Sequence, residues 1–255
     1  MMARGFLNIL SEAEFHLGTT AWNILVKASL KKEIQHFEVD FLINSQNSSG
    51  GWNMLPTSDE NKTSTYATCM SILALNEIIK NNINHPNKAK TYQAIDKGII
   101  WLVNSKEPLE PATWSDFPLD MGRKHASQGI SSLVIYTLDE TKNENENYQG
   151  IYKQYANNVL KDTRKKMDEI FSSNGFVVGQ NGKSIDDRTR IFEVAWKLSA
   201  ISKIFPSLSL QNKIRANIWI NKVIIDNQLE SIINEDWIIS EILISFSILN
   251  KSIKD

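Results

Sequence analysis

Two adjacent carboxylates are the residues of this sequence with the most specific chemistry. Asp186 and Asp187 stand side by side and are followed closely by Arg188 and Arg190. A protonated carboxyl that is held by hydrogen bonds in a dry cavity can act as a general acid. The two arginines oppose that role, because a nearby cation lowers the pKa of a carboxyl and keeps it ionised. The structural alternative is an N-terminal helix cap, where a carboxylate accepts backbone N–H bonds and complements the helix dipole.

Other polar clusters admit simpler interpretations. The charged residues 186–193 are alternatively a solvated face or a surface that binds a partner. A second polar stretch follows Trp114 and contains Asp116, Asp120, Arg123, Lys124 and His125. A polar rim is its simplest interpretation, and His125 alone is more typical of a surface or cap position than of a catalyst. Zinc chemistry is disfavoured, because Cys69 has no His at ligand spacing and is expected to be a buried structural thiol. We expect neither a metal nor a cofactor.

Helical segments must position these residues. Apolar side chains recur at helical spacing, for example along 72–79 and 194–201, whereas the alternation typical of strands is nowhere sustained. The 11 glycines and 6 prolines cluster in the turns between such segments. The segments pair into hairpins whose layout repeats at a spacing of roughly 45 residues. The sequence therefore predicts an all-α repeat protein with about four full helix pairs and one abbreviated leader, forming a single domain over residues 1–255.

Charge and cysteine content exclude several classes of protein. The 28 basic and 29 acidic residues give a formal net charge of −1, so no global basic field would attract nucleic acid or anionic lipid. The single cysteine cannot form an internal disulfide, and the N-terminus lacks the marks of a secretory signal. No apolar run reaches the roughly 18 residues of a transmembrane helix. We expect a cytoplasmic protein without a transmembrane segment.

One turn carries aromatic and amide residues in a recognisable pattern. The spacing QxxxGxW is formed by Gln46, Gly50 and Trp52. The start of a second copy is formed by Lys97, Gly98 and Trp101. The pattern resembles the QW motif of squalene-hopene and oxidosqualene cyclases, so the chain looks like a member of the terpenoid cyclase and protein prenyltransferase superfamily. The resemblance implies an α/α toroid of about four to five helix hairpins, either closed or an incomplete ring.

The resemblance also implies roles for the motif residues. The Gln amide would bond backbone groups at a neighbouring helix end, and the Trp ring would pack on the next repeat. We therefore expect structural roles for the six motif residues. The second copy departs from the motif at two positions. Lys106 occupies the position of the Gln, and Trp114 lies two residues after the position of the motif Trp.

A class of enzymes in this superfamily begins cyclisation by protonating an alkene or epoxide with the middle Asp of a DxDD motif. The segment 184–187 is similar to that motif, with Ser184 in place of the first Asp. The resemblance therefore implies Asp186 as the acid and Asp187 as its neighbour. Aromatic faces in the family's cavity stabilise carbocations. The candidates for that role are Trp114, Phe192 and Trp196, with core packing as the alternative. The implied ligand is an isoprenoid or a similar apolar molecule.

A second hypothesis is a protein that has the toroid fold but no catalytic activity. Because fold alone does not fix function, the chain could instead be an inactive toroid that serves as a protein-interaction or assembly subunit. An open repeat array exposes its terminal helices. We therefore expect either closure within the chain, or a protein partner or second copy that completes the ring. A carbohydrate-active toroid is a weaker alternative, because no pair of carboxylates with a sugar-stacking aromatic stands out.

Overall fold

A computed structural model of the chain describes residues 16–55, 59–81, 87–107, 113–119 and 126–141, together with residues 196 and 200. These described residues are mostly helical, in agreement with the predicted all-α class. The described helices are α1 (Leu17–Ser29), α2 (His36–Asn44), α3 (Thr65–Lys80), α4 (Lys88–Asn104) and α5 (Gln128–Thr141). None of them combines the length and apolar character that crossing a membrane requires.

The helices begin at residues that satisfy their first backbone N–H groups. His16 caps α1, since its Nδ1 accepts the N–H of Thr19 at 3.2 Å. Ser64 caps α3, since its Oγ accepts the N–H of Ala67 at 3.1 Å. At α2, the carboxylate of Glu38 accepts the N–H of the cap residue Gln35 at 3.0 Å. These local signals explain where the helices begin.

Short strand pairs precede two of the helices. Strand β1 (Trp52–Asn53) pairs antiparallel with β2 (Thr63–Ser64), and a short 3₁₀ turn, Glu60–Lys62, comes just before β2. Strands β3 (Trp114–Ser115) and β4 (Ala126–Ser127) form a second pair. The chain enters α3 directly from β2 and α5 directly from β4. Each pairing therefore brings a tryptophan-containing turn close to the start of a long helix.

The same backbone contacts recur in the two described copies. The N–H of Trp52 donates to Thr68 Oγ1 at 2.9 Å, and the N–H of Trp114 donates to Ser131 Oγ at 3.0 Å. Trp114 is thus the structural counterpart of Trp52, although it falls late for the motif. The two tryptophans are 62 residues apart. This exceeds the expected spacing of roughly 45 residues. The interval between the two tryptophans contains both α3, of 16 residues, and α4, of 17 residues.

A further backbone link joins each long helix to the turn that follows it. The first N–H of α1, from Leu17, donates to the carbonyl of Met54 at 2.8 Å. The first N–H of α3, from Thr65, donates to the carbonyl of Asp116 at 2.7 Å. Met54 and Asp116 each lie two residues after a strand-initiating tryptophan, so they occupy equivalent positions in the repeat.

Among helices α1 to α4, the core is built around α3. On α1, one stripe of apolar side chains is fully buried, comprising Leu17, Ala21, Ile24 and Ala28. Its spacing of four, three and four residues is that of a helix face. In contrast, α3 is buried on nearly every side, as expected of a helix that contacts α1 on one side and α4 on another. Cys69 lies within α3 and is buried.

The chain divides into two compact units. The first comprises Met1–Lys106 and Ser115–His125, and the second comprises Glu107–Trp114 and Ala126–Asp255. Helices α1 to α4 belong to the first unit, and α5 belongs to the second. The single domain over residues 1–255 stays a prediction.

Candidate functional site

The Gln46–Trp52 turn is hydrogen-bonded to two helices, α2 and α4. The side-chain amide of Gln46 donates to the carbonyl of Gly50 and to that of Ala94 in α4, each at 2.8 Å. The indole N–H of Trp52 donates to the carbonyl of Leu42 at 2.7 Å, and the ring is fully buried. Leu42 lies in the last turn of α2, where carbonyls have no partner within the helix. The turn therefore joins the end of α2 to the middle of α4.

The two copies of the motif contact each other. Gly50 has a φ of 100°, and a Cβ added there would lie 2.6 Å from the carbonyl oxygen of Lys97. A Cβ added at Gly98 would lie 2.9 Å from the ring of Trp52. The indole of Trp101 packs against the glycine that follows Gly50. The absence of side chains at these glycines lets the turn and α4 approach this closely.

A second cluster lies at the start of α3. The hydroxyl of Ser64 donates to Asp116 Oδ1 at 2.7 Å, and the N–H of Tyr66 donates to the same oxygen at 2.9 Å. The hydroxyl of Thr65 donates to the carbonyl of Ser115 at 2.6 Å. Asp116 was expected on a polar rim. Instead it binds the first turn of α3, fifty residues earlier in the chain.

His16 adds an ionisable group to this cluster. A Cβ added at Gly18 would lie 2.9 Å from the ring of Tyr66 and 3.2 Å from that of His16, so both rings lie beside the first turn of α1. The imidazole and the carboxyl of Asp116 interact electrostatically. Because Nδ1 accepts the N–H of Thr19, the ring proton is assigned to Nε2 and the imidazole is neutral.

Burial acts in opposite senses on these two groups. It raises the pKa of Asp116 above its ordinary value. The N–H of Tyr66, the hydroxyl of Ser64 and, when its ring is protonated, His16 oppose that rise. Burial lowers the pKa of His16, and the charge of Asp116 opposes that fall. Both groups are therefore driven towards their neutral forms. We refer to them as the His16–Asp116 pair.

The stability of the protein should depend on pH through this pair. The contribution of Asp116 is fully present below its unfolded pKa of 3.8 and is lost as the pH rises through the higher folded value. The contribution of His16 is fully present above its unfolded pKa of 6.5 and is lost as the pH falls through the lower folded value.

Urea unfolding between pH 3 and pH 8 tests both contributions. Relative to Asp116→Asn, the wild type should lose stability as pH rises above 3.8. Relative to His16→Asn, it should lose stability as pH falls below 6.5. Profiles that stay parallel would contradict this assignment.

The residues proposed for catalysis and substrate binding are only partly described. Trp114 is fully buried and Trp196 is 2% exposed. The ring of Trp196 lies tilted against that of Tyr136, with centroids 5.6 Å apart. The remaining candidates lie outside the described residues, namely Asp120, Arg123, Lys124, His125, Asp186, Asp187 and Phe192. Their roles, and the substrate-binding roles of the two tryptophans, stay predictions.

Sequence reasoning gave no role to His16 and did not connect Ser64 with Asp116. A serine directly before an apolar helical segment is a capping signal, so Ser64 could have been found from the sequence. The contact between Ser64 and Asp116 could not, because it spans 52 residues and no local pattern marks it. Comparisons of the chain with protein-family models, with curated proteins and with solved structures found no match.

Proposed function

We propose that this protein is a terpenoid cyclase-like or prenyltransferase-like α/α toroid that binds an isoprenoid or a similar apolar molecule. The observation that carries the proposal is the contact between the two motif copies. The amide of Gln46 bonds the carbonyl of Ala94, and Gly50 lies against the carbonyl of Lys97. A contact of this kind fixes the angle between successive hairpins. Repetition at a constant angle curves a helical array, and a ring encloses a cavity.

The proposed reaction is cyclisation that begins with protonation. A carboxyl donates its proton to an alkene carbon, the π electrons form the new C–H bond, and the adjacent carbon becomes a carbocation. Aromatic faces stabilise that cation through their quadrupoles, a role for which Trp114, Phe192 and Trp196 are the candidates. By the motif, Asp186 is the acid and Asp187 its neighbour. Zinc-dependent prenylation is disfavoured, because the cysteine that would bind the metal is buried in α3.

The test is turnover of apolar substrates. The purified protein is incubated with prenyl diphosphates and with squalene-like polyenes, and cyclic products are sought by mass spectrometry. Loss of a general acid should lower turnover by at least about 100-fold, so Asp186→Asn should be nearly inactive. Glu33→Gln is the control, because Glu33 is an exposed carboxyl between α1 and α2. A wild-type protein that converts none of these substrates would reject the proposal.

A second candidate function is a non-catalytic assembly subunit. Two large apolar side chains are mostly exposed, Leu30 at 63% and Phe37 at 70%. A contiguous patch of such side chains would mark a surface that binds another protein. The partner would be another protein or a second copy that completes the ring. Light scattering tests this candidate, since a strict monomer would contradict a second copy that completes the ring. Either function would operate in the cytoplasm.

A further inference from the structure

We propose that the end of the first unit at which α1 is followed by α2 binds the surface of a membrane that contains anionic lipid. The inference goes beyond the proposed function and does not depend on it. Three observations support it: two apolar side chains that project at this end, a set of exposed lysines at the same end, and the pairing of the acidic groups there.

The two most exposed large apolar side chains of the described residues lie on either side of the connection between α1 and α2. Leu30 follows the last residue of α1 and is 63% exposed, and Phe37 lies in the first turn of α2 and is 70% exposed. The connection itself is held against the protein, because Ile34 is buried and Lys27 pairs with Glu38 at 2.5 Å. Leu30 and Phe37 therefore project into solvent from a connection that is packed in place.

The start of α4 lies at the same end. The side-chain amide of Asn87, the residue before α4, donates to the carboxylate of Asp40 in α2 at 3.0 Å. Further along both segments, the amide of Gln46 donates to the carbonyl of Ala94. Because the two contacts follow the same order, α2 and α4 run in the same direction. The first turn of α4 is therefore beside the first turn of α2, which contains Phe37.

Four exposed lysines belong to this end. Lys31 and Lys32 directly follow Leu30, and Lys88 and Lys90 lie in the first turn of α4. A cluster of about four to eight basic residues near an apolar anchor is the pattern that binds anionic lipid headgroups. The formal net charge of the whole chain is −1, so the attraction would come from this local cluster.

The acidic groups at this end are mostly paired. Glu38 binds the ammonium group of Lys27, and Asp40 accepts the amide of Asn87. Glu33 is the one acidic residue that is exposed among the described residues here. Four exposed lysines against one exposed carboxylate leave a positive surface around two projecting apolar side chains.

This combination fits a lipid bilayer better than it fits another protein. Apolar side chains such as Leu30 and Phe37 can enter the boundary between headgroups and acyl chains, and this requires no shape complementarity. Lysines beside them remain at the level of the anionic phosphates. A stable protein interface, in contrast, requires complementary packing over roughly 20–30 residues on each side.

The experiment measures co-sedimentation of the purified protein with lipid vesicles. The wild type should bind vesicles of phosphatidylcholine mixed with phosphatidylserine and should not bind phosphatidylcholine alone. High salt should release it, because salt screens the attraction. Phe37→Ala should weaken binding by at least about tenfold through lost apolar burial. Lys31→Gln and Lys32→Gln should each weaken it by about fivefold.

Two matched controls remove the same kinds of side chain elsewhere. Ile100→Ala truncates an apolar residue that is 45% exposed in the second half of α4, and Lys62→Gln removes an exposed charge just before β2. Both should bind vesicles as the wild type does, and circular dichroism checks that every variant is folded.

Three results would overturn the inference. The first is a wild type that does not sediment with the mixed vesicles, and the second is equal binding to both kinds of vesicle. The third is equal binding by Phe37→Ala and Ile100→Ala. A wild-type dimer that Phe37→Ala converts to a monomer, without vesicle binding, would assign this surface to a protein partner. None of these results bears on turnover of polyenes, so the proposed function is tested separately.

Discussion

Trp52→Ala is expected to lower the free energy of unfolding by about 3–5 kcal/mol, the usual range for removing a buried large aromatic side chain. The indole is fully buried, so its removal leaves a cavity beside Gly98 in α4. It also removes the 2.7 Å bond from the indole N–H to the carbonyl of Leu42. That carbonyl lies in the last turn of α2, where no further helical N–H is available to replace the indole.

Urea unfolding followed by circular dichroism measures this loss. Phe37→Ala is the matched control, because it removes an aromatic ring from a mostly exposed site in the neighbouring helix α2. Exposed substitutions of this kind usually change stability by no more than about 0.5 kcal/mol. A Trp52→Ala variant as stable as Phe37→Ala would show that the turn does not hold the two hairpins together.

Gly50→Ala is expected to lower the free energy of unfolding by about 3 kcal/mol, since backbone strain at a positive φ alone contributes about 1–3 kcal/mol. The φ of 100° lies in the region that residues with a side chain rarely adopt. The new methyl group would also lie 2.6 Å from the carbonyl oxygen of Lys97. A backbone oxygen cannot swing aside as a flexible side chain can, so the turn must move away from α4.

The control for Gly50→Ala is Ser49→Ala, an exposed position in the same turn. The comparison matters because replacing Gly by Ala at an unstrained site stabilises a protein by about 0.4–1 kcal/mol. The replacement lowers the conformational entropy of the unfolded chain. A net loss therefore measures the strain and the contact with Lys97. Equal unfolding midpoints for Gly50→Ala and the wild type would contradict the close approach of the two motif copies.

The two substitutions act on the same contact with α4, and both lie on the side of the turn. Trp52 fills the space beside α4, and Gly50 leaves the space through which the turn approaches it. If the hairpins are joined at this point, the double variant should lose less stability than the sum of the two single losses, because residues in one contact are not independent. A double variant whose losses add would indicate two separate effects.

The helical character of the chain follows from the sequence by itself. Apolar side chains at helical spacing, as at Leu17, Ala21 and Ile24, predict a helix with one buried face, and that face is buried. The start of α3 also follows from a local signal, because a serine directly before an apolar segment can cap the helix that follows it. The motif at Gln46 also predicted an amide bonded to backbone. Such features depend on neighbours within a few residues, so they can be read in order along the chain.

Only the tertiary structure decided which polar groups meet. Gln46 bonds Ala94 across 48 residues, and Ser64 bonds Asp116 across 52. Neither pairing has a local signature, since it depends on the path of the whole chain between the two residues. The raised pKa of Asp116 follows from that path, because its largest cause is burial of the carboxyl by the surrounding protein. The sequence alone predicted the helices, and the packing of those helices decided which polar groups meet and therefore which carboxyl has its pKa raised by burial.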